Sequence, residues 1–566
     1  MPGPHNNLAT RITEQVAVLH SDPAVRERLV RDLLGLAEQH RSSLAALKAT
    51  SLTQRSSYLI TYGDSFTRPG EAPLATLRTI VDNVIGDAIS DVHLLPMFPW
   101  TSDDGFAVVD HRAINPALGG WEDIARLGER HGLMFDFVAN HVSAASPWFC
   151  GWLAGDERYA GYFFSPDPDF DATHVVRPRT TPLVHEYARP DGTTATAWTT
   201  FGADQVDVNA ATPAALLELT DVLLGYLAAG ADTVRLDAIG YLWKESGTTC
   251  LHRPGTHAVI RIWRAILDDL APGARLLTET NVPHADNVTY FGDGSNEAHM
   301  VYQFALPPLV LHSFVSGDSG RLTQWAAGLE DLGGTATWFN FLASHDGIGM
   351  RPSNGLLTSA EQQALVDRVV AHGGRASYAH EPDGSRSVYE LNVSYLDALV
   401  DPARLGDAEQ VVSRVLAAHA ILLSVIGVPA IYYHSLFGSS HDIVGMESSG
   451  INRRINRKQL DADALLAELE TSPRRRGIFT GLTRMLRVRA EHAAFNPFSP
   501  QRVLDLGPAV FAVHRGEGIG SVVAVINVSG AAAAVAGVSG TDLLTDARHQ
   551  GGLTLPADGV VWLVQD

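Results

Sequence analysis

The chain has 566 residues, 45% of them hydrophobic and 19% charged, with a formal net charge of -21. That balance belongs to a folded globular protein and excludes a disordered one. The acidic excess argues against nucleic acid or an anionic membrane as a general partner, and favours a neutral small molecule or an anionic one met by a local positive pocket.

The opening MPGPHNNLATRITEQ has no basic segment leading into an apolar core, and no long apolar run follows, so a soluble, cytoplasmic protein is expected. From about Ala9 to Lys48 the spacing is helical without turn punctuation, which predicts a helical N-terminal extension over 1–50. Short apolar runs then alternate with helical stretches: SYLITYGD, DVHLLPMFP, LMFDFVANH, DTVRLDA and RLLTETN, with helices such as GWEDIARLGERHG between them. This is the rhythm of parallel βα units. Several of the runs end in polar residues, as a (β/α)8 TIM barrel with its site at the C-terminal rim would write them. The competing doubly wound sheet would more often show a glycine-rich phosphate turn, and TYGDSF is not one.

The rhythm gives the barrel as 51–142, 207–349 and 403–490. It breaks over 143–206, an inserted domain after strand 3, and again over 350–402, a second insert after strand 7 in which HGGRASYAHEPDGSRS reads as a long mobile loop. Runs such as VFAVHRG and GVVWLVQD predict an antiparallel β domain over 491–566. Cys150 and Cys250 lack metal or disulfide spacing and are expected to be small core residues, so neither a zinc site nor a disulfide framework is indicated.

Within DTVRLDAIGY, alternation puts Arg235 and Asp237 on one face of a strand that should be buried. A buried ion pair is weak evidence for stability, so chemistry is the better reason for it. Asp237, Glu279 in LLTETN and Asp346 in ASHDG would be three rim carboxylates. Cleaving a glycosidic bond takes one carboxylate at the anomeric carbon and one carboxylic acid at the leaving oxygen. Arg235 would keep a nucleophilic carboxylate ionised.

DFVANH, VRLDAIGY, LLTETN and FLASHDG resemble, in order, the four sequence regions of the α-amylase superfamily, glycoside hydrolase family thirteen. The resemblance spans about Tyr58 to Arg457. It implies Asp237 as nucleophile, Glu279 as general acid/base and Asp346 as transition-state stabiliser, with Arg235, His141 and His345 lining the glucosyl subsite. VHLLPMFPWTSDDGFAVVDH, AIGYLWKESGTTC, VYQFALPPLVLH and INRRINR narrow the likeness to the sucrose phosphorylase subgroup, adding Asp103 and Arg453 as a charged pair that seals the pocket to a single glucosyl unit.

On the acceptor side ETNVPH puts Asn281 where sucrose-specific members carry a His-containing segment, and Glu390 stands where they have Gln. FLASHDGIGMRP is closer to the glucosylglycerate and glucosylglycerol phosphorylases. Arg177 and Arg179, in the inserted domain, are candidates for binding phosphate or a glycerate carboxylate. The resemblance thus implies a retaining phosphorylase of 2-O-α-D-glucosylglycerate, with inorganic phosphate as co-substrate and no metal or organic cofactor. Sucrose and glucosylglycerol phosphorylases, a glucosidase or transglucosidase, and a silent sugar-binding protein are the alternatives. The oligomeric state is not readable.

Overall fold

The computed structural model describes residues 4–45, 47, 51–329, 332–380 and 385–565. Eight strands, β1 (Tyr58–Thr61), β2 (Asp91–Leu94), β3 (Gly132–Phe137), β4 (Thr233–Leu236), β5 (Arg275–Thr278), β6 (Met300–Tyr302), β7 (Thr337–Asn340) and β8 (Val428–Tyr432), close into one barrel. Each pairs in parallel with the next, and β8 returns to β1. Every residue of β1, β2, β4 and β5 is buried. Helices cover the outside and side chains fill the inside, so the strands read as nearly continuous apolar runs.

The N-terminal segment forms two helices, α1 (Pro4–Leu19) and α2 (Pro23–Leu44), where one uninterrupted helical extension was expected. The break has a local cause. The Asp22 side chain accepts from Ala24 N at 2.8 Å, and Pro23 occupies the first turn, so α2 starts afresh there. The pair lies against the barrel helices α3 (Pro213–Ala228) and α4 (Pro254–Leu270). Ile12, Val16, Leu29 and Leu33 are buried there, and Arg11–Asp268 (2.9 Å), Arg41–Asp269 (2.7 Å) and His40–Asp221 (2.7 Å) fasten the rim.

After β3 the chain leaves the barrel. His141–Ser143 pairs antiparallel with Gln205–Asp207, so the inserted segment is zipped at its neck, and Val184–Ala188 pairs with Thr194–Trp198 farther out. After β7, Ile348–Gly349, Arg375–His380 and Arg386–Asn392 form a three-stranded antiparallel sheet. The HGGRASYAHEPDGSRS stretch expected as a long loop is therefore mostly a hairpin. Its alternation of small and polar residues with Tyr378 and Val388 hid a two-residue period, and its tip, 381–384, lies outside the described residues.

Two further helices, α5 (Ala408–Ser424) and α6 (Pro473–Glu491), flank β8 and lead to the C-terminal antiparallel sheet, which has six strands between Gln501 and Val564. Arg489 of α6 and Arg515 of that sheet are both buried and bond only backbone carbonyls, Arg489 to Gln54, Leu423 and Phe495 among others, Arg515 to Ser424 and Asn496. Burial pushes each guanidinium down to about 9. Cys250 is buried as expected; Cys150 is exposed, on the solvent side of the short helix Pro147–Leu153. Among the described residues no helix is long and apolar enough to cross a membrane.

Candidate active site

The ends of β3, β4, β5 and β7 converge on one cavity. Asp103, His141, Asp237, Glu279, Asn281, His345, Asp346, Glu390, Arg179 and Arg453 line it, with Phe106, Phe201, Gln205, Tyr241 and Tyr389. Gly347 sits where the strand Arg386–Asn392 passes closest. A Cβ there would come within 2.3 Å of Leu391 O, so the glycine lets the second insert close over Asp346.

Arg235, only 1% exposed, organises the floor. Its Nη1 donates to Asp237 Oδ1 at 2.8 Å and to Asp136 Oδ1, and Nη2 lies 4.0 Å from Glu279 Oε1. Asp136 is held from behind by His93 Nε2 at 2.8 Å. Burial pushes both carboxyls up, Asp237 well above its ordinary value, Arg235 pulls each of them back, and Asp346 adds to the rise of Glu279. The two carboxyls share an environment but differ in their hold on Arg235. With the guanidinium bonded to Asp237 and 4.0 Å from Glu279, a proton entering the pair belongs on Glu279. Glu279 Oε2 also accepts from Ala238 N at 2.9 Å, and Ala238 turns into the left-handed region (φ 48°) directly after Asp237. One ionised and one protonated carboxyl in a single pocket is the arrangement that acid-assisted displacement at an anomeric carbon uses.

Asp346 is paired with Arg453 Nη1 at 2.6 Å. Arg453 also grips Glu390 bidentately, Nε to Oε1 at 3.0 Å and Nη2 to Oε2 at 2.6 Å. The expected Asp103–Arg453 pair is therefore not formed. Arg453 reaches across to the second insert, and the cation beside Asp103 is Arg457, with Nη1 at 4.0 Å from Asp103 Oδ1. One helical turn separates the two arginines in INRRINR, and the turn Asn452–Asn456 aims them differently. Glu390, read as an acceptor-side residue, lines the cavity but spends its carboxylate on Arg453. His345 stacks on Phe106 (4.7 Å between centroids, 7° between planes), and burial keeps both His345 and His141 neutral at pH 7 by lowering their pKa values.

At the mouth, Arg179 lies between the rings of Phe201 (5.8 Å) and Tyr389 (5.7 Å) and forms no ion pair with a described residue. Arg177 is not brought to the cavity; its Nη2 donates to Thr181 O instead. Asn281 lines the wall against Gly349, where a Cβ would come within 2.5 Å of its Oδ1. Sequence reasoning missed Arg457, Gln205, whose Nε2 reaches Asp103 Oδ2 at 3.3 Å, and the aromatic walls Phe106, Phe201, Tyr241 and Tyr389. Phe106, directly after the SDDG motif, was the one within reach of the sequence. Among the described residues no group of three His, Cys, Asp or Glu side chains is placed to hold a metal ion.

Comparison with known proteins adds four likenesses. Residues 80–342 match the family model for the α-amylase catalytic domain. A glucosylglycerate phosphorylase of Allomeiothermus silvanus is 44% identical over 92% of this chain and 93% of its own, and a sucrose phosphorylase of Agrobacterium vitis is 31% identical over 77% and 88%. Among solved structures, the sucrose 6F-phosphate phosphorylase from Thermoanaerobacter thermosaccharolyticum superposes with a TM-score of 0.73 at 24% identity, covering 85% of this chain and 95% of that one.

Proposed function

The chain belongs to the α-amylase family, in its group of sucrose and glucosylglycerate phosphorylases, and on that premise we propose that it is a retaining phosphorylase of 2-O-α-D-glucosylglycerate. Asp237 attacks the anomeric carbon while Glu279 gives its proton to the oxygen leaving with D-glycerate, and a β-glucosyl ester forms on Asp237. Inorganic phosphate, the co-substrate, then attacks the same carbon, breaking its ester bond and releasing the Asp237 carboxylate, as Glu279 takes a proton back. Two inversions give α-D-glucose 1-phosphate. Asp346, with Asp103, His141 and His345, holds the glucosyl hydroxyls. A cytoplasmic setting, with inorganic phosphate at hand as co-substrate, is part of this proposal.

The observation that carries this reading is Arg179, a cation lining the cavity with aromatic neighbours and no ion pair among the described residues. A hydrolase delivering water needs no such group. A phosphorylase must favour an anion over solvent in the second step, and here both the departing glycerate and the entering phosphate are anions. Replacing Arg179→Met keeps the length and removes the charge. The KM for phosphate should rise about ten- to hundredfold, with phosphate-independent glucose release from the same donor retained. An unchanged KM for phosphate would remove the support that Arg179 gives.

A further inference from the structure

Asp103, Asp104 and Gly105 are three successive residues with positive φ, at 53°, 48° and 113°. Gly105 meets that demand cheaply, and a Cβ there would come within 2.9 Å of Pro96 O. The two aspartates are left-handed at a cost that the surroundings must cover. The loop nevertheless sets much of the glucosyl pocket: Asp103 lines it, Phe106 stacks on His345, and Phe106 O lies 3.0 Å from His141 Nε2.

What holds the loop is the Asp104 carboxylate. Arg454 donates to it from Nη2 at 2.6 Å and from Nε at 3.2 and 3.3 Å, and Arg457 Nη1 donates at 2.9 Å. Burial opposes its ionisation, but the two guanidinium groups hold its pKa below the usual carboxylate range. Arg457 is buried, is tied to His345 O by Nε at 2.8 Å, and stands 4.0 Å from both Asp103 Oδ1 and Asp346 Oδ1. It could bond any of three carboxylates and bonds only Asp104. Asp104 itself faces a second, outer cavity shared with Trp100 and Arg454, and does not line the inner one.

We propose that Asp104 is a positioning residue for the glucosyl pocket. By engaging Arg454 and Arg457 it fixes the left-handed loop and keeps Arg457 off Asp103 Oδ1, leaving that oxygen to accept a sugar hydroxyl, and keeps Arg457 from joining Arg453 on Asp346. Without the Asp104 charge, Arg457 closes the short gap to Asp103 or Asp346 and competes with the sugar. The inference rests on the proposed function only in taking the inner cavity as a glucosyl pocket.

The test is glucose affinity by titration calorimetry, with kinetics alongside, for the wild type, Asp104→Asn and Arg454→Met. Asn keeps the volume and removes the charge; Arg454→Met alters a half-exposed residue and leaves Asp104 in place. Asp104→Asn should weaken glucose about ten- to hundredfold and raise KM for the glucosyl donor and for glucose 1-phosphate by the same factor. The ratio of phosphorolysis to hydrolysis should not change, because the acceptor side is untouched. Arg454→Met should show the same pattern in smaller degree. A lower Tm with unchanged glucose affinity in both variants would make Asp104 a purely structural residue and overturn the proposal, as would a shifted phosphorolysis ratio or a wild type that does not bind glucose. Absence of phosphorolysis in the wild type bears on the proposed function alone.

Discussion

Two carboxyls in one pocket differ in role because one guanidinium bonds one of them. Arg235 donates to Asp237 at 2.8 Å and stays 4.0 Å from Glu279, which remains raised above its ordinary 4.5 by burial. A raised carboxyl means that the native state holds that proton more tightly than the unfolded chain does. Stability from this source is complete below 4.5 and is lost as pH rises through the folded pKa. Glu279→Gln removes the loss, so its Tm should exceed that of the wild type near pH 8 and converge with it near pH 4, by calorimetry across pH. The same variant should turn over an α-glucosyl donor whose leaving group needs no proton, and fail on glucosylglycerate. Equal Tm differences at both pH values would contradict the burial account. Asp237, Glu279 and Asp346 were legible because a charge at a strand end is out of place unless something uses it. Arg457 was not legible, since INRRINR offers arginines in nearly the same context and only the fold of the turn decides which one faces Asp103.

The secondary-structure elements show where local pattern misleads. The first five barrel strands were plain as apolar runs, most with polar ends, while Met300–Tyr302 and Val428–Tyr432 were not read as strands. The hairpin Arg375–His380 with Arg386–Asn392 was not, because its residues are turn formers that pair only when the second insert folds over β7. The N-terminal helices looked like an appendage. Their apolar faces in fact cover α3 and α4, and fully burying each side chain such as Ile12, Val16, Leu29 or Leu33 contributes about 1.5–3 kcal/mol. Removing 1–50 exposes the outer faces of α3 and α4 without touching the cavity. The truncated protein should aggregate readily and unfold several degrees lower, while kcat/KM of the folded fraction stays close to that of the full chain. A truncation with unaltered thermal unfolding would show that the helices are dispensable to the barrel.

At the scale of the whole molecule, an acidic protein of net charge -21 has to receive anions at one place. The barrel does this with Arg179 from the first insert, because the other arginines around the site are already spent on carboxylates, Arg235 on Asp136 and Asp237, Arg453 on Asp346 and Glu390, and Arg457 on Asp104. Composition could exclude nucleic acid and point to a local positive pocket, but it could not locate one. That information is distributed over more than two hundred residues of sequence and becomes a site only when the barrel closes. The central claim is that this pocket transfers a glucosyl group to phosphate with retention. The most direct test is NMR of the purified protein with phosphate and, separately, 2-O-α-D-glucosylglycerate, glucosylglycerol and sucrose. The account predicts phosphate-dependent formation of α-D-glucose 1-phosphate, fastest from glucosylglycerate; free glucose released at a rate indifferent to phosphate would contradict it.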